Sequence, residues 1–359
     1  MYNFQTMLHE LSRDAKKTRT PIIGVFELTG RCNFNCVMCY VHELNHDKAQ
    51  KQELSTSDWI SIFDSLIERG MIQALLTGGE CLLRTDFKEL YLYLTQHGVR
   101  VSVNTNGFLL DESYIDFFKK YPPVNIQISI YGSSNDAYAN ITERPAFDRV
   151  SNALSLLKEA RIPFSTVITP CRQLLPDFEN IVKFLIANRY RYLIGEYLIE
   201  NKSGDVLHSD TALSYEEHLS LLKTNAVLRN KLHEPPEALP KPFGPCSDAQ
   251  SMEGGIPCSA GTCRAAIDWH GDLYSCYVLP LPRFSVTELG FDKAWELMGN
   301  EIAKVKRPLE CVGCAYEKLC SKCPAVRYDG LFSGHCNRDC CDSVIDRCKR
   351  GILKAPSVE

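Results

Sequence analysis

Nowhere in the 359 residues is there an uninterrupted apolar run of about 18, the length a membrane-spanning helix needs. Residues 1–20 are polar and mildly basic, without the apolar stretch of a secretory signal. Together these predict a cytoplasmic protein with no membrane partner. A basic excess is missing too: the formal net charge is -4 and the pI about 6.2, so no positive field is available to hold a nucleic-acid backbone. Blocks of like charge, internal repeats and low-complexity tracts are lacking, and the nine histidines never fall in an H-E-x-x-H or paired spacing.

Cysteine is what the chain has in excess, with 17 residues, twelve of them at or beyond Cys246. In a reducing compartment these are poor candidates for disulfides and good ones for metal ligands. Cys32, Cys36 and Cys39 form a C-x3-C-x2-C array. At about 0.05 cysteines per position, three at fixed offsets arise by chance about 0.04 times in a chain of this length. Three close thiols leave one coordination position open, and a soft donor set of this kind suits an iron-sulfur cluster or zinc.

The array follows a short β-branched run at 22–28, which reads as a strand closed by Gly30. From Ser55 a repeat sets in. Ser55-x-x-Asp58 makes a capping box for a helix whose Trp59, Ile62, Phe63 and Leu66 share one face, and a strand follows at 72–77. Helix and strand then alternate through strands at 99–103, 124–130, 164–168 and 190–198. Six βα units imply parallel strands joined by right-handed crossovers, either an open doubly wound sheet or a partial barrel. Function in such folds gathers at the strands' C-terminal ends. Here those ends carry the cysteine array, Gly78-Gly79-Glu80, Asn104-Thr105-Asn106-Gly107, Tyr131-Gly132 and Thr169-Pro170-Cys171. One further helix is expected over 214–233, and then five prolines between 235 and 245 end regular structure. The domain reading is a helical segment at 1–20, a βα domain at 21–233, a proline-rich linker at 234–257 and a small cysteine-rich domain at 258–359 built around metal.

The cysteine loop, with Gly78-Gly79-Glu80 one βα unit later, resembles the radical S-adenosylmethionine superfamily. That resemblance implies an α/β fold, a partial (β/α)6 TIM-like barrel, and a [4Fe-4S] cluster held by Cys32, Cys36 and Cys39 whose fourth iron chelates S-adenosylmethionine. It implies that Gly78 and Gly79 let the backbone approach the cosubstrate's amino group while Glu80 supplies opposite charge. By itself a Gly-Gly-Glu sequence is a common turn. Asn104, Asn106 and Ser129 look like the family's strand ends that meet ribose and carboxylate, and Arg144 stands where an arginine often faces that carboxylate. Loop capping and a solvated arginine are the bland alternatives. Met38 occupies a position often aromatic in the family and would pack on adenine through its thioether. Cys81 follows Glu80 where proline is frequent, and reads as a buried thiol.

The C-terminal cysteines are similar to the SPASM extension of peptide- and protein-modifying radical enzymes, which holds two auxiliary [4Fe-4S] clusters. By that resemblance Cys258, Cys263, Cys276 and Cys323 hold one, and Cys311, Cys314, Cys320 and a tail cysteine the other. Cys341 is preferred among Cys336, Cys340, Cys341 and Cys348 on its distance from Cys323. The spacing Cys320-x2-Cys323 departs from the commoner x3. Structural zinc on Cys311, Cys314, Cys320 and Cys323 is the rival, and it leaves four other cysteines without a task.

The resemblance implies an enzyme, a radical oxidoreductase that modifies a peptide or protein. Its product would be a carbon-carbon or thioether crosslink in a ribosomally made peptide, or formylglycine in a sulfatase. Epimerisation and a small-molecule substrate stay open. Its partners would be an external electron donor of flavodoxin or ferredoxin type and, because only 31 residues precede Cys32, a separate leader-binding protein. A non-catalytic electron-transfer or metal-binding protein is the alternative of another class.

Overall fold

The computed structural model describes residues 4–41, 53–195, 198, 210–231, 256, 258–276, 279, 281–317, 319–320, 323–327 and 329–349. The chain divides into two compact units. One comprises residues 24–242 with 267–270, and the other residues 1–23, 243–266 and 271–359. The proline-rich stretch at 234–255 lies outside the described residues. The N-terminal segment, set apart in the sequence reading, belongs to the cysteine-rich unit.

In the larger unit six strands lie side by side in chain order: β1 (Ile23–Glu27), β2 (Gln73–Thr77), β3 (Arg100–Thr105), β4 (Ile126–Ile130), β5 (Phe164–Ile168) and β6 (Tyr192–Ile194). From β2 onward each pair is parallel, with Ala74 opposite Val101, Val103 opposite Ile126, Ile128 opposite Thr166, and Thr166 opposite Tyr192. This is the parallel α/β architecture expected of a partial (β/α)6 barrel. The last strand is shorter than the 190–198 run, of which 196 and 197 are not described.

The crossover helices form where the apolar period says they should. In α2 (Thr56–Glu68) Ser55 accepts from the Asp58 amide and Asp58 answers through its own side chain, completing the capping box. Its Trp59, Ile62, Phe63 and Leu66 are buried, and Phe26 of β1 meets Trp59 and Phe63 edge-on at 5.9 and 4.8 Å between ring centroids. Burial of a side chain the size of Phe63 or Leu66 contributes about 1.5–3 kcal/mol. Because strand side chains alternate, Phe26 against the helix puts Val25 and Glu27 on the opposite face of the sheet.

Three more helices follow the expected pattern: α3 (Phe87–Gln96), α4 (Glu112–Lys120) and, after β4, α6 (Phe147–Glu159). So do α7 (Phe178–Ala187) and α8 (Tyr215–Lys231). One is additional: α5 (Asn135–Thr142), inserted between β4 and α6. The smaller unit begins with α1 (Phe4–Thr18) and continues with β7 (Arg264–Ile267), β8 (Asp272–Tyr274) and the antiparallel partner of β8, β9 (Phe284–Ser285). It ends with α9 (Val286–Leu289), α10 (Phe291–Ala303), α11 (Pro324–Arg327) and α12 (Arg338–Lys349). Among the described residues no helix is long and apolar enough to cross a membrane.

Candidate functional site: a three-cysteine loop at the end of the first strand

β1 runs directly into the cysteine loop, and the end of β2 is stitched to it. The amides of Gly79 and Glu80 donate to the carbonyls of Thr29 and Arg31, both at 2.8 Å. This approach explains the glycines. A Cβ on Gly78 would lie 2.4 Å from the Thr29 carbonyl oxygen, and one on Gly79 would lie 2.3 Å from that of Arg31. Gly78 also has φ +128°, a conformation open to glycine. From the other side the loop is held by the end of α5. The amides of Asn35 and Val37 donate to the carbonyls of Thr142 and Ile141, both at 3.0 Å, and so satisfy acceptors that a helix C-terminus leaves open. Arg31, next to Cys32, forks onto Glu53 at 2.9 and 3.0 Å, and Thr29 donates to the same carboxylate.

Cys36 is buried, Cys32 and Cys39 are half-buried, and none is in a disulfide. Burial first, then the Glu80 carboxylate, pushes the Cys32 thiol up to about 12, and burial with the Cys39 and Cys32 charges raises the Cys36 thiol well above its ordinary range. Such thiols give up their protons only to something that repays the charge, which a metal does. Two N–H groups point at the Cys32 sulfur: the Phe34 amide at 3.4 Å and Asn106 Nδ2 at 3.7 Å. The Tyr131 phenol neighbours Cys36 and Ser129, and its ionisation is driven well up by burial and by the Cys36 charge.

The donor set fits a cluster better than one ion. Zinc with thiolate bonds of about 2.3 Å would bring its sulfurs within about 3.8 Å of each other. Among the described residues no three cysteine sulfurs lie within 4.8 Å of one another. Soft donors spaced more widely than a single ion requires, and N–H groups aimed at sulfur, are what an iron-sulfur cluster uses.

Glu80 is engaged within the fold. Its carboxylate is fully buried and accepts from the Leu82 amide (3.0 Å), Thr105 Oγ1 (2.8 and 2.9 Å) and the Asn106 amide (2.7 Å). It therefore ties the end of β2 to the end of β3, while its charge still reaches Cys32. Asn106 is likewise turned inward, donating to Asn33 Oδ1 at 2.7 Å and toward the Cys32 sulfur. Asn104 is half-buried and its carbonyl accepts from the Cys81 thiol at 3.4 Å. Arg144 is exposed, its guanidinium 5.3 Å from the Phe108 ring, and that ring meets Phe34 of the cysteine loop edge-on. Met38 is buried.

Three residues near the loop escaped the sequence reading. Tyr131 was visible as a strand end but carried no assignment. Phe34 packs against Tyr131 and Tyr138, and only its place inside the array hinted at that. Glu27, 1% exposed on the side of β1 away from α2, accepts from the Tyr40 hydroxyl at 3.0 Å. A carboxylate as the last residue of an otherwise apolar strand was its signal.

The sequence profile of the radical SAM superfamily matches residues 26–185, from the end of β1 into α7. Those residues form a radical SAM domain. Its cofactors are therefore a [4Fe-4S] cluster and S-adenosylmethionine, and it is an enzyme. Among sequence relatives it is 27% identical to an AdoMet-dependent heme synthase of Methanosarcina barkeri, over 87% of this chain and 93% of that protein. It is 25% identical to the mycofactocin maturase MftC of Mycolicibacterium smegmatis, over 86% and 79% of the two chains. In fold it resembles Streptococcus suis SuiB bound to S-adenosylmethionine, with a TM-score of 0.66 and 16% identity over 95% of this radical SAM chain and 84% of SuiB.

Cys81 and Cys171 also lie in the larger unit, and the described cysteines from Cys258 onward lie in the smaller one. Cys263 is fully buried, and the Cys258 thiol is raised by burial and by the charge of Cys323, while Arg264 and Lys16 lower it. In the second group Cys341 on α12 lies 3.7 Å from Cys336, sulfur to sulfur, and Cys320 lies 3.6 Å from Cys340. Burial, Cys336, Cys320 and Cys311 together push Cys341 up to about 12. The tail thus brings Cys336 and Cys340, as well as Cys341, to the set begun by Cys311 and Cys320.

Proposed function

We propose that this radical SAM enzyme modifies a peptide oxidatively, with Cys32, Cys36 and Cys39 holding the catalytic cluster. What carries the reading is the C-x3-C-x2-C loop, braced from β2 and α5, with the Phe34 amide and the Asn106 side chain just past β3 donating to the Cys32 sulfur. When bound, the cluster and cosubstrate supply reductive cleavage of S-adenosylmethionine to a 5′-deoxyadenosyl radical. The chain's part is to hold the loop rigid, exclude water with Phe34, Met38 and Tyr131, and aim the reactive carbon. Gly78, Gly79, Asn104, Ser129 and Arg144 form the surrounding rim that receives the cosubstrate, and Glu80 acts through Thr105 and Asn106. Cys258, Cys263, Cys276 and Cys323 hold one auxiliary cluster, and Cys311, Cys314, Cys320 and Cys341 the other. Held there, such clusters would supply an acceptor for the electron that the substrate loses on oxidation. An external flavodoxin- or ferredoxin-type donor supplies the first electron, and a separate protein recognises the leader, in the cytoplasm.

Relation to MftC over most of the chain favours a peptide, and a crosslink is preferred to formylglycine. A second reading, an iron porphyrin as substrate, is favoured by the heme synthase relation over a similar span. Reconstituted enzyme incubated without oxygen with S-adenosylmethionine, dithionite and the short peptides encoded beside its gene should remove two hydrogens from one of them, matched by 5′-deoxyadenosine. Turnover of iron coproporphyrin III, with every peptide unchanged, would replace the peptide reading by the porphyrin one.

A further inference from the structure

β4 has two unlike faces. Ile126, Ile128 and Ile130 are at most 1% exposed, while Gln127 and Ser129 between them are half-buried. Side chains alternate along a strand, so the isoleucines face the packed interior and Gln127 and Ser129 share the opposite, open face. Parallel register carries that face across the sheet. Asn104 on β3 and Ser165 on β5 stand opposite Gln127, one on each side, and Ser129 is followed by Val167 on β5 and then Leu193 on β6. Asn104, Val167 and Leu193 are half-buried too.

The open face is uneven. Across β3 and β4 it carries amide and hydroxyl groups, and toward β6 it carries the apolar Val167 and Leu193. Ser165 is already engaged, since Asn125 Nδ2 donates to its Oγ at 2.9 Å. The Gln127 amide has no hydrogen-bond partner among the described residues, so both its N–H and its carbonyl are open to what fills the face. None of the six positions is charged. The carboxylates of an iron porphyrin would find no cation among them, and burying them unpaired is costly. A neutral peptide unit meets no such penalty. It presents one N–H and one carbonyl, which a primary amide matches with its own carbonyl and N–H. Adjacent strands are about 4.8 Å apart, so Val167 begins one strand away, within reach of a side chain on the residue whose main chain Gln127 holds.

We propose that this face is the peptide subsite of the enzyme: Gln127 pairs with one main-chain amide of the substrate, and Val167 and Leu193 take an apolar side chain of the same residue. The proposal rests on the peptide reading above and adds to it the substrate's chemistry, an uncharged, apolar residue held by its backbone. Gln127 lies beside Asn104 in register and two residues before Ser129, so this subsite borders the rim proposed for the cosubstrate.

The test gives the short peptides encoded beside the gene to reconstituted wild-type, Gln127→Leu, Gln127→Glu and Leu193→Ser enzymes. Gln127→Leu leaves the peptide unit unpaired and should lower kcat/KM for the peptide that the wild type modifies about tenfold, chiefly through KM. Its iron content and its equilibrium affinity for S-adenosylmethionine should match the wild type, which a merely structural role for Gln127 would not produce. Gln127→Glu keeps the volume and loses the donor, and should fall as far even where Gln127→Leu fails to fold. Leu193→Ser should raise KM for the same peptide. Unchanged kcat/KM in the Gln127 variants or in Leu193→Ser would overturn the proposal and leave the peptide reading standing. A fall in S-adenosylmethionine affinity in Gln127→Leu would overturn it by moving Gln127 to the cosubstrate. A wild type that modifies no peptide would overturn the peptide reading and the proposal with it.

Discussion

Asn106 stands 74 residues from Cys32 in sequence and turns its amide to that sulfur. An N–H···S bond withdraws charge from the thiolate and stabilises a reduced cluster. Asn106→Leu should therefore lower the catalytic cluster's potential with S-adenosylmethionine affinity little changed. A weaker affinity at constant potential, read by EPR titration against equilibrium binding, would instead return Asn106 to the cosubstrate contact that the resemblance implied. Gly79 is constrained by space: alanine there meets the Arg31 carbonyl and should cost about 1–3 kcal/mol in thermal or denaturant unfolding. At this scale the sequence was half legible. The spacing of Cys32, Cys36 and Cys39 announced a metal loop, because ligands from one loop are close in sequence. The partners of Glu80 were hidden, since Thr105 and Asn106 come to it only through the β2–β3 pairing, 25 and 26 residues away.

Among the elements that brace the cysteine loop, α5 was the least visible. Its eight residues, Asn135 to Thr142, include two asparagines and an aspartate and bury Tyr138, Ile141 and Thr142, too little apolar period to mark a helix. Ser134 caps it by accepting from the Ala137 amide, and Glu143 ends it at φ 57°. Ser134→Ala should cost about 1 kcal/mol of stability. Because the carbonyls of Ile141 and Thr142 hold Asn35 and Val37, the same change should also hasten iron loss to a chelator, measured by absorbance bleaching. The six strands and their crossover helices were legible for the opposite reason. Each helix carries its own apolar face and end signal, so local pattern and tertiary role agree.

For the molecule as a whole, chain order misleads at one place. Residues 1–23 belong with the cysteine-rich unit, and only tertiary contacts such as Arg19 with Trp295 show it. The fourth ligand of the proposed second auxiliary site is illegible for a related reason: α12 presents Cys340 and Cys341 close to Cys320 and Cys336, so spacing cannot choose. Replacing Cys341 by alanine should remove about four of about twelve irons, whereas a loss on replacing Cys336 or Cys340 alone would reassign the ligand.

The central claim is that radical chemistry starts at Cys32, Cys36 and Cys39. It is tested most directly by quantifying 5′-deoxyadenosine from the reconstituted, dithionite-reduced protein and from its Cys36→Ala variant, alongside iron content. The wild type should form 5′-deoxyadenosine, and the variant should form none while losing only about four irons. Undiminished 5′-deoxyadenosine from Cys36→Ala, or none from a wild type with its full iron, would contradict the account.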